Sequence, residues 1–294
     1  MKKLTYGLVI FTFILFLGLT FSYNPLMAKS TDEFDEGKDI FLNILTVNKE
    51  QYKIVKQIAG EKHNIQYLFE NRKEIEEFKV NASFLDNILN MDLFIYNGFG
   101  YESWINDIID ISKSSKVSLI NASRGIRPIL SELKEESKEN PYYLLGFNEY
   151  KIALHNIKTS LQEKDTKNRN YYEENYNNAI KELGEFLSYK KEELKQYSDY
   201  YIFTDTDNFD YLFKELGIEV KKIKANDVSS LNYNNYNEKT KLIFVYDKEE
   251  NNLDEITKNT DLDFNYIALV TEGKDNILLS NVTQLIELIK NKTN

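Results

Sequence analysis

The stretch Asp92–Trp104, DLFIYNGFGYESW, contains the strand-to-helix transition on which the fold assignment depends. Its apolar run Leu93–Tyr96 has the length of a strand, and the helical pattern Glu102–Ser112 follows after a glycine-containing loop. Comparable elements flank it, with strand-length runs at Ile40–Val47, Ile65–Phe69 and Val117–Ile120 and helical candidates at Lys49–Ala59 and Ser83–Asn90. This alternation predicts parallel βαβ units with helices on both faces of a sheet.

A second series of the same kind begins near residue 200. Its strand candidates are Tyr200–Thr204, Val220–Ile223, Leu242–Tyr246 and Tyr266–Val270, and its helical candidates are Phe209–Leu216, Leu253–Asn259 and Val282–Ile289. Two series fit two α/β lobes, each a mainly parallel sheet flanked by helices, better than one continuous sheet.

The segment between the two series is a long helical pattern, Arg169–Tyr197. Its apolar residues recur at spacings of 3, 4 and 7, so they share one face. Such a helix spans roughly 40 Å, enough to run the height of both lobes. We therefore predict a rigid linking helix in residues 168–197, between an N-terminal lobe in residues 38–167 and a C-terminal lobe in residues 198–294. Gly184, near its middle, would permit close packing.

The first 28 residues have the pattern of a secretory signal. Lys2 and Lys3 precede the apolar run Leu8–Phe21, and the small residue Ala28 follows it. Residues 1–28 are expected to be a signal peptide cleaved after Ala28 or an N-terminal anchor that is retained, and the sequence leaves both open. Either predicts an extracytoplasmic protein, secreted or tethered to the cell membrane.

Composition excludes several functions. The net charge of −10 disfavours nucleic acid and anionic membranes as partners, because both would repel the chain. The absence of cysteine excludes disulfides, thiolate metal sites and cysteine nucleophiles, and predicts that the chain is not a cysteine-anchored lipoprotein. Asp205-Thr206-Asp207 could bind a metal–phosphate substrate, but this tripeptide pattern is very common. We therefore expect a binding protein and not an enzyme.

Six segments, in order along the chain, carry a family resemblance: Thr46–Gly60 (TVNKEQYKIVKQIAG), Asp92–Trp104, Val117–Ile126 (VSLINASRGI), Asn140–Tyr142 (NPY), Lys167–Leu183 and Asp205–Gly217 (DTDNFDYLFKELG). Together they resemble the cluster A-I zinc- and manganese-binding solute receptors of bacterial ABC importers. The resemblance implies two α/β lobes joined by one rigid helix. It also implies a monomer that binds a solute or metal ion between the lobes and passes it to a membrane permease.

The family's metal ligands, three histidines and one carboxylate, are replaced in this chain. Its histidine positions fall at Glu76, Tyr142 and Thr206, and its carboxylate position falls near Thr271, beside Glu272. The chain has two histidines, His63 and His155, and we expect both to be solvent-facing or partly packed and not ligands.

Two interpretations of the replaced positions stay open. In the first, Glu76, Asp205, Asp207 and Glu272 form an oxygen-rich site that favours manganese, magnesium or calcium over zinc, with Tyr142 donating a hydrogen bond to a carboxylate and Thr206 and Thr271 in the cleft. In the second, the site has decayed or been converted, and the cleft binds an uncharged or organic solute, a partner protein or nothing. Both predict loss of high-affinity zinc binding.

The leading functional hypothesis is an extracytoplasmic solute-binding protein of the metal-receptor type with a degenerate metal site. Its cofactor is unknown, and the resemblance leaves manganese and zinc as candidates. The alternative, motivated by the missing histidines, is a surface interaction or adhesin-like protein that reuses the fold without metal binding. An extracytoplasmic hydrolase would need a compact group of acid and base residues.

Overall fold

A computed structural model describes residues 40–133, 138–198, 200–224, 227, 241–250, 253–258, 263–273 and 275–291. The predicted signal or anchor in residues 1–28 lies outside this part of the chain. Within it, no helix combines the length and apolar character needed to cross a membrane.

The N-terminal lobe is a four-stranded parallel sheet of order β2-β1-β3-β4. Ile44 of the central strand β1 lies beside Ile65 of β2 and Leu93 of β3, and all three are buried. The elements of this lobe are β1 (Asn43–Asn48), α1 (Lys49–Ala59), β2 (Asn64–Phe69), α2 (Arg72–Glu77), α3 (Ala82–Leu89), β3 (Leu93–Tyr96), α4 (Ile105–Ser112), β4 (Ser118–Asn121) and α5 (Phe147–Lys164).

The C-terminal lobe repeats the arrangement with a four-stranded parallel sheet of order β6-β5-β7-β8. Its elements are β5 (Tyr200–Thr204), α7 (Asp210–Leu216), β6 (Val220–Lys222), β7 (Lys241–Asp247), α8 (Leu253–Lys258), β8 (Asn265–Leu269) and α9 (Ile277–Asn291). The two α/β lobes predicted from the sequence are confirmed.

The lobes are joined by the long helix α6 (Arg169–Leu194), which ends before the predicted Tyr197. It packs against α1 and α5 of the first lobe and α9 of the second, through a face that includes Tyr172, Leu183 and Leu187. A side chain at Gly184 would bring a Cβ within 3.1 Å of Phe147, so glycine permits this close approach of α5. One hydrophobic core continues from the first sheet through α5 and α6 to the second. Separating the lobes would therefore expose buried apolar surface.

One local expectation was wrong, and one short helix was not predicted. The acidic segment around Glu76 contains the short helix α2, whose first turn is capped by the Asn71 side chain accepting from Glu74 N–H at 3.1 Å. His63 is buried, not solvent-facing or partly packed: its Nε2 lies 2.7 Å from the Tyr172 hydroxyl, and burial lowers its pKa. His155 is exposed, as expected.

Candidate functional site

The carboxyl ends of both sheets border one cavity of about 430 Å³. Ligands in open parallel sheets bind outside these strand ends, so this is the place to look for a site. Residues from both lobes line the cavity, and most of them are charged: Asn71, Arg72, Lys73, Glu76 and Tyr142 from the first lobe, and Asp247, Glu249, Glu250, Thr271 and Glu272 from the second.

Arg72 is the central cation of this cavity. Its Nε donates to Glu76 Oε1 at 2.6 Å and its Nη1 donates to the Tyr142 hydroxyl at 2.9 Å. Its guanidinium lies 4.9 Å from the ring centre of Tyr101 and 5.5 Å from that of Tyr142. Burial lowers its pKa, but Tyr142 and Glu76 outweigh that effect and hold the pKa above its ordinary value. The guanidinium is therefore charged at any physiological pH.

Glu272 joins the second lobe to the first. Its Oε1 accepts the backbone N–H of Arg72, at the start of α2, at 3.3 Å. Burial raises the pKa of Glu272 to about 7, with the neighbouring acids Glu249, Glu50 and Asp247 contributing in the same direction. This carboxyl consequently changes its charge near neutral pH.

A second group of oxygens surrounds Asn208, after β5. Asn208 Nδ2 donates to Asp247 Oδ2 at 2.7 Å and to Glu250 Oε1 at 3.0 Å. The Thr271 hydroxyl lies 3.4 Å from Asp247 Oδ2, and the Thr206 hydroxyl lies 3.4 Å from Glu250 Oε2. Burial raises the pKa of Asp247. One amide thus holds together two carboxylates that would otherwise repel each other.

Asn140 fixes the loop that carries Tyr142. Its side-chain Oδ1 accepts from Tyr142 N–H at 3.0 Å, and its Nδ2 donates to the carbonyl of Asp207 in the other lobe at 2.6 Å. Glu102, after β3, binds the adjacent loop by accepting from the backbone N–H groups of Asn97 and Gly98 at 2.7 and 3.1 Å. The tyrosine that lines the cavity therefore stands on a loop held from both lobes.

A clasp beside the cavity also connects the lobes. Lys53 of α1 donates to the carbonyls of Gly273 and Asp275 at 2.6 and 2.8 Å, and to Glu50 Oε1 at 2.7 Å. Glu50 in turn accepts from Gly273 N–H at 3.1 Å. Burial raises the pKa of Glu50, while the contact with Lys53 opposes that rise.

Four of the residues predicted for the site line this cavity together: Glu76, Tyr142, Thr271 and Glu272. Thr206 reaches it through Glu250. Asp207 faces elsewhere: its Oδ1 lies 2.8 Å from Lys222 Nζ and its Oδ2 accepts from Leu133 N–H at 3.0 Å. Asp205 follows β5 directly and is half-buried.

Sequence reasoning missed Arg72, Asp247 and Glu250. The sequence did contain a signal for Asp247, because this residue ends the apolar strand β7. The carboxyl ends of the neighbouring strands β5 and β8 had already been considered as places for ligands. A signal for Arg72 was also present. Arg72 and Glu76 are four residues apart and follow Asn71, a pattern typical of a capped helical turn that carries an ion pair.

The donors present do not fit the zinc or manganese ion that the family resemblance implies. No imidazole faces the cavity among the described residues, and in that part of the chain no three His, Asp or Glu side chains are grouped to hold a metal ion. Glu76 and Tyr142, at two of the family's ligand positions, already bind the guanidinium of Arg72. A divalent ion at these oxygens would have to displace a positive charge.

Two parallel sheets joined by one long helix define a two-lobed α/β fold with a charged cavity at its strand ends. The chain belongs to the ZnuA family, described as zinc-uptake complex component A, periplasmic, whose model matches residues 44–277. The family assignment made from the sequence is confirmed.

Individual relatives are distant. The chain is 26% identical over 186 residues to a metal ABC transporter substrate-binding lipoprotein of Lactococcus lactis, over 61% of this chain and 58% of that protein. It is 25% identical over 203 residues to the high-affinity zinc uptake system protein ZnuA of Bacillus subtilis, over 65% of this chain and 63% of that protein. The match thus spans less than two thirds of either relative.

The fold also resembles a solved mutant structure of the laminin-binding adhesin Lmb from Streptococcus agalactiae. The TM-score is 0.70 at 19% identity, over 85% of this chain and 100% of that chain. At this identity the likeness concerns the fold alone.

Proposed function

We propose that this protein is the extracytoplasmic solute-binding component of an ABC importer, of the metal-receptor type, with an altered metal site. The observation that carries the proposal is the charged cavity between the lobes, which both sheets border with their carboxyl ends. Membership of the ZnuA family and the substrate-binding relatives support it. We assign the cavity a binding role and no reaction.

The partners follow from that role. We propose a monomer that delivers its solute to a permease in the membrane, outside the cytoplasm, with residues 1–28 as signal or anchor. The relatives from L. lactis and B. subtilis are named as parts of metal or zinc uptake systems, which supports an importer.

The oxygen-ligand form of the metal site stays a prediction. Glu76 and Glu272 share the cavity, which supports a site there. Asp207 is engaged by Lys222, so it would have to leave that ion pair to act as a ligand. Without imidazole donors we expect weak zinc binding.

Calorimetric titration of the purified protein with zinc and with manganese tests the altered site. We expect no sub-micromolar binding of either ion. Sub-micromolar zinc binding that is lost in Glu76→Gln or Glu272→Gln would contradict the proposal, because it would show a working site in this cavity.

The importer role is tested in cells. A photo-crosslinking residue at an exposed position on each lobe should capture an integral membrane protein of an ABC importer. Capture of none of the importer's subunits, with solute uptake unchanged on deletion of the gene, would refute this role.

A second candidate is a surface interaction protein. The structural likeness to the S. agalactiae adhesin, together with the absence of imidazole donors in the described cavity, favours it. Deletion of the gene would then reduce attachment of cells to an immobilised matrix protein such as laminin while uptake stays unchanged. The opposite pattern would support the importer.

A further inference from the structure

We propose that the guanidinium of Arg72 takes the place of a divalent cation in the cleft, and that Arg72 is the residue that keeps such cations out. The inference rests on the proposed function only in taking the cavity between the lobes as the solute site. It assigns the specificity of that site to one side chain.

Arg72 binds the groups that a metal ion would need. Its Nε lies 2.6 Å from Glu76 and its Nη1 lies 2.9 Å from Tyr142, and both residues stand at ligand positions suggested by the sequence. Its backbone N–H lies 3.3 Å from Glu272, a third predicted ligand. One residue therefore engages oxygens from both lobes.

The position of this charge is fixed from several directions. The helix α2 that carries Arg72 begins with an Asn71 cap, and Glu76 lies one turn further along the same helix. The guanidinium carbon lies over the rings of Tyr101 and Tyr142, 4.9 and 5.5 Å from their centres. An ion pair, a hydroxyl and two aromatic rings together fix the position of this planar cation, whereas the ammonium group of a surface lysine samples many positions.

A metal ion in the cavity would meet two obstacles. It would be repelled by the guanidinium over a distance of a few ångströms in a partly buried place, where screening is weak. It would also compete with Arg72 for the Glu76 carboxylate. A permanent charge cannot be removed by loss of a proton, so the obstacle persists at every physiological pH.

Without Arg72 the cavity would keep its oxygen donors and lose the opposing charge, although in the present arrangement no three acidic side chains of the described residues are grouped to hold an ion. Asp247, Glu250 and Glu272 face it from the second lobe, Glu76 from the first, and hydroxyls stand beside them. Manganese, magnesium and calcium prefer this set of oxygen donors. The inference therefore predicts that removal of this positive charge lets these oxygens regroup around a cation and raises the affinity of the cavity for it.

The experiment is a manganese titration of the purified full chain by calorimetry, with calcium as a second probe. Arg72→Gln, which keeps polar contacts without the charge, should bind manganese at least about tenfold more tightly than the wild type. Arg72→Lys should bind as weakly as the wild type, since it keeps the charge. Adding Glu76→Gln to Arg72→Gln should reverse the gain, which assigns the new site to the cavity.

Lys113→Gln is the matched control, because it removes the same charge from an exposed ion pair with Asp110 on α4. It should leave manganese binding unchanged, and circular dichroism should show every variant folded. Equal affinities in folded Arg72→Gln and wild type, or a gain equally large in Lys113→Gln, would overturn the inference. These titrations involve no permease, so failure of the importer role would leave their outcome unaffected.

Discussion

Replacing Glu102 by glutamine measures how the titration of one buried carboxyl group contributes to stability. The side chain is almost wholly buried, and each carboxyl oxygen accepts a backbone N–H, from Asn97 and from Gly98. Burial raises the pKa of Glu102 to about 7 from its ordinary 4.5, although the backbone hydrogen bonds oppose the rise. The protonated form is therefore favoured in the folded protein over a range of pH where the unfolded chain is ionised.

The sign of the effect follows from proton binding. Between pH 4.5 and about 7 the folded state holds a proton at Glu102 that the unfolded state has lost. The contribution of Glu102 to the unfolding free energy is therefore fully present below pH 4.5 and is lost as the pH rises through 7. A pKa difference of roughly 2.5 corresponds to about 3 kcal/mol of unfolding free energy. Glutamine does not titrate, so Glu102→Gln lacks this component.

Urea unfolding of wild type and Glu102→Gln, each at about pH 4.5 and about pH 8, measures the effect. The stability advantage of wild type should be smaller at the higher pH by about 3 kcal/mol. The constant cost of the amide cancels in this comparison. Exposed Glu77→Gln should show a difference that changes by less than about 0.5 kcal/mol. An advantage of wild type that is independent of pH, or that grows with pH, would refute the reasoning.

Two further predictions concern the contacts that shape the cleft. Lys53→Met removes the clasp on the carbonyl of Gly273 and should lower the unfolding free energy by about 2 kcal/mol in urea titrations, whereas exposed Lys113→Met should change it by less than about 0.5 kcal/mol; equal effects would contradict the clasp. Gly98→Ala should cost several kcal/mol, on the order of 3, because its φ is +84° and a Cβ would lie 2.3 Å from a serine hydroxyl. Gly100→Ala, with φ of +67° and open space around it, should cost only about 1 kcal/mol, and equal losses in thermal melts would refute the steric argument.

The regular elements could be predicted because their patterns are local. The strand Leu93–Tyr96 and the helix Lys49–Ala59 have the predicted bounds, since an apolar run and a capping Asn48 mark them in the sequence itself. The short helix α2 escaped prediction because six residues are too few to show a helical period.

The site could be predicted only in part, because side-chain direction beyond a strand end is set by tertiary contacts. Glu272 and Glu76 line the cavity, but Asp207 turns to Lys222 on the neighbouring strand β6. Arg72 lay outside the positions that the family resemblance singled out. Arg72 matters because it contacts Tyr142 and Glu272, which are distant from it in sequence. The spacing of residues along the chain cannot predict such contacts.

The positive charge that Arg72 places in the cleft does not depend on the supply of metal in the medium. It is joined to the chain by covalent bonds, so it is present in every copy at a ratio of one to one and has no dissociation rate. In a receptor charged by a bound metal, the filled fraction varies with the metal in the medium. Here the positive charge between Glu76 and Tyr142 is part of the polypeptide from the moment it is synthesised. The fraction of molecules that carry this charge would therefore be unchanged during metal starvation or in a chelating buffer.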